Sequence, residues 1–535
     1  MKSPYFTIEH EVFRDGVRKF MEEEVAPNAD QWERDRMVPR EIWRRMGELG
    51  YLGIHHEEAW GGSEADFFYS VVFLEELQRS NMGGFSAAVS VQEYMATAHL
   101  AKAGSDGLKK AWLEPAIAGG KIGAIAISEP DVGSDVANLR TRAVRDGDHY
   151  VINGAKMFIT NGFYADFAVV ACRTNPDPEA GAAGISLILV DTTTPGFRAR
   201  KLDKIGWHCS DTAEMSFEDV RVPVTNLIGL ENQGFYYIME SFQLERLVAA
   251  VASVGGAQLC LDRTIDYIQN RKAFNRPVAR FQTIRHEIAE LATELEATRQ
   301  LVYHTAWLYD QGEMAVRECS MAKLKATEVA NHVIDRCLQC FGGYGYMEEY
   351  PIARAYRDAR VGTIAGGTSA IMREIIAKIE LDDTRYNSAY AATPTKKSGD
   401  EAPPAPKPAS AETPAAAEQP IAQTQVATDP VTLNALFLAL PDRFKEDRAG
   451  AWRSVIHFDI GGDGGGRFTL SVEDGTASVR EGLHGEAKCI VETEADTFLD
   501  MESGKIAPEM AFMSGQLRVS NIPEMMTFMK AFHRG

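Results

Sequence analysis

One segment in the last third of the chain is incompatible with a packed core and therefore divides the sequence. Residues 387–430 hold 12 alanines and 8 prolines among 44 residues, with no Leu, Phe or Trp. Such a stretch cannot bury enough apolar surface to offset the entropy of ordering it, so we expect a flexible, partly extended linker. The sequence thus predicts a body over residues 1–386 and a tail over residues 431–535.

The body changes its hydrophobic pattern twice. Residues 1–120 are predicted to be helical, residues 121–232 contain strand-like apolar runs separated by Gly, Pro and Asp, and residues 233–386 are helical again. An apolar stripe with helical spacing supports the last assignment. It consists of Ile284, Ile288, Leu291, Leu295 and Val302. An order of helices, strands and helices disfavours a doubly wound βαβ sheet.

The tail shows a period of two residues, which is typical of half-buried strands. Apolar side chains alternate from Trp452 to Ile460 and from Phe468 to Val472, and Cys489 and Val491 continue the alternation. Helical segments are expected around residues 495–503 and 523–532. We therefore predict a small α+β domain.

Composition and charge exclude several classes of protein. Hydrophobic residues make up 45% of the chain, and 76 acidic against 56 basic residues give a net charge of −20, which disfavours nucleic-acid binding. The sequence contains no run of about 18 apolar residues, so we predict no transmembrane segment. The first residues resemble neither a signal nor a transit peptide. Seven scattered cysteines indicate reduced thiols, so we expect a cytoplasmic protein.

Common catalytic motifs are missing from the sequence. It contains no G-x-x-x-x-G-K-[ST], H-E-x-x-H or G-x-S-x-G pattern. The run His55-His56-Glu57-Glu58 lacks the spacing of a zinc site, so we expect it on a helix surface and predict no bound metal. Residues 342–345, Gly-Gly-Tyr-Gly, follow a helix and not a strand, which argues against a dinucleotide fingerprint.

Five motifs in order resemble the signatures of the acyl-CoA dehydrogenase family. They are Ser128–Asp135, Asn153–Gly162, Arg271–Phe274, Gln339–Tyr346 and Ile364–Ile371. The resemblance covers about residues 5–380. It implies an α+β multidomain fold, with a helical N-domain, a β-barrel middle domain and a helical-bundle C-domain.

The resemblance also implies an FAD site. Ser128, Phe158 and Thr160 would lie against the isoalloxazine ring, and Thr368 near it. A second set would reach the FAD of a neighbouring subunit, which makes a homo-oligomer, and a tetramer in particular, the expected assembly. It consists of Arg271, Phe274, Gln339 and Gly343. The fork-shaped guanidinium of Arg271 suits phosphate oxygens.

The catalytic base is expected in an alternative position. Many members of the family carry the base directly before Gly-Thr in the last motif, where this chain has Gly366. The branch that resembles long-chain and isovaleryl-CoA dehydrogenases places it on an earlier helix, and the segment Gln243-Leu244-Glu245-Arg246-Leu247 matches that pattern. Glu245 is therefore the predicted base. The residues expected on the substrate side are Ser134, Arg246 and Gly366, and the backbone N–H of Gly366 would polarise the thioester carbonyl.

The tail has a resemblance of its own. Its order of strands and helices, residues 512–520 and the Met-rich run Met525–Met529 look like the sterol carrier protein type 2 domain. That fold holds lipid in an apolar tunnel, and flexible Met side chains suit a lining that adapts to varied chains. An ordinary Met-containing core is the alternative. The match covers about residues 431–535 and does not specify the ligand.

Together these resemblances predict an FAD-dependent oxidoreductase of fatty acid β-oxidation. It would convert a long-chain or branched acyl-CoA to the trans-2-enoyl-CoA and pass electrons to an electron-transferring flavoprotein. The small residues Ala365 and Gly366 favour a bulky acyl chain. Two alternatives stay open at this stage: an acyl-CoA oxidase that uses oxygen, and a lipid carrier with a catalytically silent dehydrogenase body.

Overall fold

The structure is a computed structural model of the 535-residue chain. It describes residues 3–382 and 384, residues 433–502 except 439, 446–451, 463–464, 474 and 486, and residues 517–521, 524, 528, 531 and 532. The chain forms two compact units, Met1–Ala402 and Pro403–Gly535. The predicted linker, residues 503–516 and the Met-rich run apart from Phe528 lie outside the described residues. The predicted domain boundaries stay predictions.

The first part of the body is helical, as predicted. Local signals set its helix starts: the Thr7 side chain caps the first helix by accepting the N–H of His10, and the Asp66 side chain accepts the N–H of Phe68. The helices are α1 (Ile8–Phe20), α2 (Ala29–Asp35), α3 (Arg40–Glu48), α4 (Phe67–Leu77), α5 (Gly83–Val91), α6 (Thr97–Ala103), α7 (Asp106–Leu108) and α8 (Glu114–Ile117).

The middle part is one eight-stranded sheet, in agreement with the strand-like pattern. Its strands are β1 (Gly123–Ala126), β2 (Arg142–Asp146), β3 (His149–Thr160), β4 (Phe167–Arg173), β5 (Ile185–Asp191), β6 (Phe197–Lys201), β7 (Thr212–Pro223) and β8 (Leu227–Ile228). The order across the sheet is β6-β7-β3-β2-β4-β5-β8, with β1 beside β4. The pairing is mostly antiparallel. β4 and β5 are buried on both faces because every side chain but the last in each strand is covered.

The last part of the body returns to helix. Its elements are α9 (Gly234–Asn270), the short strands β9 (Lys272–Ala273) and β10 (Arg276–Pro277), α10 (Gln282–Asp310), α11 (Val316–Phe341), α12 (Pro351–Ala359) and α13 (Ser369–Asp382). α9 packs against α4, α10 and α11. Among the described residues α9 alone is long and apolar enough to cross a membrane, but 67% of its most apolar stretch is buried inside the fold. This identifies it as a core helix.

The tail forms a five-stranded sheet with helices. Its elements are α14 (Leu433–Leu438), β11 (Ser454–Gly461), β12 (Gly466–Glu473), β13 (Thr476–Glu481), β14 (Cys489–Glu494), α15 (Ala495–Glu502) and β15 (Leu517–Val519), with strand order β13-β12-β11-β14-β15. The predicted alternation is confirmed, since the even-numbered side chains of β11 and β12 from Ile456 to Val472 are buried. Phe437 stacks on Phe468 within this core.

Candidate active site

A cavity of about 330 Å³ lies where the sheet meets the two helical parts of the body. The sheet contributes Phe158 and Thr160, α9 contributes Glu245, and the turn before α13 contributes Ala365 and Gly366. Segments that the sequence predicted to act together, separated by up to about 200 residues, therefore line one space. The predicted residues Ser128, Ser134, Arg246 and Thr368 are not among its lining residues.

One face of α9 forms a long wall of the cavity. Its lining residues recur every three or four positions: Glu245, Val248, Ala249, Ala252, Ser253, Gly256, Leu259 and Cys260. At about 1.5 Å per residue, this face runs for about 22 Å. Most of these side chains are small, so the wall leaves room beside the helix.

Glu245 stands at one end of this wall in a dry environment. Its side chain is only 8% exposed, and its Oε1 is buried without a hydrogen-bond partner among the described residues. Burial raises its pKa to about 7, although the adjacent Arg246 guanidinium lowers it in part. A buried carboxylate with a free oxygen and a pKa near neutrality is suited to accept a proton.

Gly366 lines the same cavity from a turn that only glycines adopt easily. Gly366 has a φ of +64° and Gly367 a φ of +92°, both in the left-handed region. Beyond the turn, the Thr368 hydroxyl accepts the N–H of Ile371 at 3.2 Å and so caps α13. Thr368 therefore has a structural role in addition to the predicted one.

The sheet presents Phe158 through an irregularity in β3. Its pairing with β7 shifts between Lys156 and Ile159, and Phe158 takes a φ of +65°. The ring is 69% exposed, at the edge of the cavity. Left-handed backbone at a bulky residue costs free energy and needs support from its surroundings.

That support comes from the loop that carries Ser128. The N–H of Met157 donates to the Ser128 carbonyl at 2.9 Å, and buried Lys156 donates to the Ile127 carbonyl and to Glu129, both at 2.9 Å. Glu129 also accepts the N–H groups of residues 140 and 141. The Ser128 loop is thereby fixed beside the strand that carries Phe158, although Ser128 itself lies outside the cavity lining.

The residues predicted to reach a neighbouring subunit are gathered on the surface. Phe274 is 92% exposed, and Arg271, Gln339 and Gly343 are exposed as well. The Arg271 guanidinium lies 5.3 Å from the centre of the Tyr344 ring, which joins the two motifs. None of the four lines the cavity. Ser134 is exposed too, so its substrate role stays a prediction.

The prediction that His55 and His56 lie on a helix surface is wrong. They lie in a turn and not on a helix surface, and His56 is buried with its Nε2 3.0 Å from the Thr97 hydroxyl. With Glu93 they place possible ligand atoms within 4.8 Å of one another. The Glu93 oxygens, however, each accept a backbone N–H, from Gly53 at 2.7 Å and Ile54 at 2.8 Å. The cluster thus anchors this turn, and absence of a metal stays a prediction.

Sequence reasoning missed two residues near the site. Trp207 lines the cavity with a φ of +56°, and its backbone N–H donates to Asp358 at 2.7 Å. Lys323 of α11 is fully buried and donates to the carbonyl of Gly367. A lysine within an amphipathic helix gives no sign in the sequence that it points inward, so only packing could reveal it.

Comparison with known proteins identifies the class to which this fold and site belong. The family models for the acyl-CoA dehydrogenase N-terminal, middle and C-terminal domains match residues 7–120, 124–220 and 232–381, and the SCP-2 sterol transfer family matches residues 433–533. The chain belongs to the acyl-CoA dehydrogenase family, whose members are FAD-dependent flavoproteins, and it carries a C-terminal SCP-2 domain.

Individual members of the family are similar to this chain over most of its length. The chain is 43% identical over 379 residues to the mitochondrial long-chain specific acyl-CoA dehydrogenase of Sus scrofa, covering 71% of this chain and 88% of the relative. It is 37% identical over 373 residues to the mitochondrial isovaleryl-CoA dehydrogenase of Pongo abelii, covering 69% and 88%. The crystal structure of an acyl-CoA dehydrogenase from Geobacillus kaustophilus matches with 44% identity and a TM-score of 0.69, covering 71% of this chain and all of that one.

Proposed function

We propose that the protein catalyses FAD-dependent α,β-dehydrogenation of long-chain or branched acyl-CoA esters. The single observation that carries this proposal is Glu245: a buried carboxylate with an unpaired oxygen and a pKa of about 7, on the wall of the cavity. A catalytically silent body would have no reason to keep such a costly group in a dry site.

The chain's own groups account for the proton chemistry. Glu245 would remove the α-proton of the thioester and hold it on its carboxyl group, where burial favours the neutral form. The Gly366 N–H would donate to the thioester carbonyl and so make that proton more acidic. A backbone donor does not need a side chain, which explains how glycine can serve at this position.

The residues of the cavity fit a flavin. Phe158 offers an aromatic face at the cavity edge, and Thr160 a hydroxyl beside it. Thr368 and the Ser128 loop would also contact the flavin. Exposed Arg271 and Phe274 would bind the FAD of an adjacent subunit. When bound, FAD supplies the acceptor for the β-hydride. A glutaryl-CoA dehydrogenase from Mycobacterium smegmatis, 29% identical with a TM-score of 0.67, was solved in complex with FADH2.

The length of the cavity supports long or branched substrates. Small side chains on α9 leave space for a substrate along about 22 Å of the helix. They belong to Ala249, Ala252, Ser253 and Gly256. Ala365 and Gly366 leave further space at the reacting end. The named specificities of the relatives, long-chain and isovaleryl, agree with this class.

The proposal includes partners. We infer a homotetramer, electron transfer to an electron-transferring flavoprotein, and lipid binding by the SCP-2 domain. The structure of the electron transferring flavoprotein of Acidaminococcus fermentans includes a chain 34% identical to this one, covering 71% of it, which supports the second partner. A cytoplasmic location stays our proposal; the cited animal relatives are mitochondrial by name.

An anaerobic titration tests the function. The FAD-loaded protein is mixed with palmitoyl-CoA, and the visible flavin spectrum is recorded. Loss of the oxidised band with formation of the enoyl ester supports the proposal. Peroxide formation in air would instead support an oxidase. A flavin that stays oxidised with straight, branched and sterol side-chain esters would contradict dehydrogenation and favour the carrier alternative.

A further inference from the structure

Lys323 is buried beside the Gly366–Gly367 turn, which carries the N–H donor of the proposed reaction. It projects from α11 with no exposed surface, and its ammonium donates to the carbonyl of Gly367. Within the described part of the chain this is the one hydrogen bond of the ammonium group. Its neighbour two residues on, Lys325, has the usual surface role, since it is half exposed and paired with Glu294 at 2.9 Å.

The burial of Lys323 is costly, so it requires an explanation. Burial and, to a smaller extent, the Arg246 guanidinium of α9 lower its pKa to about 8, while Glu328 of α11 acts in the opposite direction. Desolvating an ammonium without a carboxylate partner destabilises a fold. A methionine could fill the same volume without that cost. The polar end of Lys323 must therefore contribute through the carbonyl that it holds.

Packing holds one side of the turn beside it, since a Cβ at Gly367 would lie 2.6 Å from the Met372 side chain, and leaves the other side open. Gly366 and Gly367 both have left-handed φ values, and glycine populates other wells almost as readily. No heavy atom lies within 4 Å of the position that a Gly366 Cβ would occupy, so packing does not restrain this side of the turn. The bond from Lys323 restrains the peptide unit that follows Gly367, which is separated from the donor's peptide unit only by the unit between Gly366 and Gly367.

We propose that Lys323 is a positioning residue that fixes the Gly366–Gly367 turn so that the Gly366 N–H is aimed at the thioester carbonyl. This inference rests on the proposed function, because the carbonyl belongs to the proposed substrate. Losing an oxyanion donor outright slows catalysis by about 100- to 1,000-fold. A donor that is present but free to reorient should cost roughly 10- to 100-fold.

The experiment uses the full-length, FAD-loaded protein and a chromophoric product analogue, 4-(dimethylamino)cinnamoyl-CoA. The absorption of this conjugated thioester shifts to the red when its carbonyl is polarised, so the shift reports the donor without any redox step. Flavin reduction by palmitoyl-CoA is measured in parallel. The variants are Lys323→Met, which keeps the length without the donor, and Lys323→Arg, which restores a cation. Lys325→Met is the matched surface control.

We expect Lys323→Met to bind the analogue with less than half of the wild-type red shift. Its flavin reduction should slow by about 10- to 100-fold, with KM changed by less than about threefold, because the interaction strengthens in the transition state. Lys323→Arg should recover most of both signals, and Lys325→Met should match wild type. A full red shift together with a wild-type rate in Lys323→Met would overturn the inference.

Two further outcomes are decisive. If Lys323→Met does not accumulate as folded protein, Lys323→Leu, which also lacks a donor, replaces it, and a full red shift there also overturns the inference. A wild-type protein that shifts the analogue but never reduces its flavin contradicts the proposed dehydrogenation. A lost shift in Lys323→Met still supports the positioning role in that case, so the two failures are distinguishable.

Discussion

Replacing Glu245 by glutamine should abolish dehydrogenation and at the same time stabilise the fold. The pKa of Glu245 is about 7 in the folded protein against a usual value of 4.5. One pKa unit corresponds to about 1.4 kcal/mol. Ionisation of this buried carboxyl at pH 8 therefore lowers the free energy of unfolding by about 3 kcal/mol. A neutral glutamine of the same shape does not bear that cost.

The effect has a defined pH window. Below about pH 4.5 the carboxyl is protonated in both the folded and the unfolded state, so glutamine brings no gain. Between pH 4.5 and pH 7 only the unfolded state releases the proton, and the stability of the wild type falls relative to the variant. Above pH 7 the difference is constant, at its full value. The gain is therefore present at pH 8 and absent at pH 4.

The assay is thermal unfolding of the FAD-loaded proteins at pH 4, 6 and 8. With an unfolding entropy of about 2.1 cal/mol/K per residue, a body of about 380 residues gives roughly 0.8 kcal/mol/K, so about 3 kcal/mol raises Tm by about 4 °C. Glu290→Gln, at an exposed site on α10, is the control and should leave Tm unchanged. Anaerobic palmitoyl-CoA should reduce the flavin of the control and leave that of Glu245→Gln oxidised.

The reasoning would be refuted by either half of the result. A Glu245→Gln variant that is less stable at pH 8 would mean that the ionised carboxylate has a partner that holds it in the folded state. A variant that is more stable but still reduced by palmitoyl-CoA at the wild-type rate would place the base elsewhere. Stabilisation and inactivation together are expected only of a buried base.

Three further predictions follow from the same geometry. Gly256→Leu should fill the α9 wall and lower kcat/KM for palmitoyl-CoA relative to butyryl-CoA by roughly 10- to 50-fold, since each displaced methylene loses about 0.8 kcal/mol; Asp262→Ala on the exposed face of α9 should not change this ratio. Arg271→Lys should lower FAD occupancy by about tenfold, measured from the ratio of flavin to protein absorbance, because the ammonium cannot form two parallel bonds to phosphate; Arg285→Lys is its surface control. The separated tail, residues 431–535, should bind a fluorescent fatty acid, and no displacement by unlabelled palmitate would contradict its lipid role.

The sequence predicted the body well because its signals are periodic and local. The stripe from Ile284 to Val302 lies on one helix, α10, and the strand-like runs predicted in residues 121–232 include the buried strands β4 and β5. The alternation in the tail needed only the two-residue period of a strand. The turn at His55 was mispredicted because a run of four polar residues looks solvated, whereas Glu93, 38 positions away, draws it into the core.

The site was predictable only in part because its residues meet through tertiary packing. Motif order placed Glu245, Phe158 and Gly366 in one site, and the structure brings them to one cavity. Motif order could not show that Oε1 of Glu245 is unpaired, nor that Lys323 points inward, since both depend on how α9 and α11 pack. Ser128 and Thr368 illustrate the reverse case: the motifs select them for the flavin, while the structure also gives each a backbone-ordering contact.

The proposed position of the base on α9 changes what the turn before α13 must do. With no carboxylate at residue 366, this turn contributes to the proposed reaction only through a backbone N–H, and two glycines give that N–H a choice of directions. A side chain at residue 366 would restrict the backbone but would also fill the space that long or branched substrates need. Holding the turn from behind, through Lys323 and the Gly367 carbonyl, keeps the donor aimed and the cavity open. In this proposal the buried lysine on α11 and the glutamate on α9 are two consequences of one requirement, a catalytic pocket with empty space at residues 365 and 366.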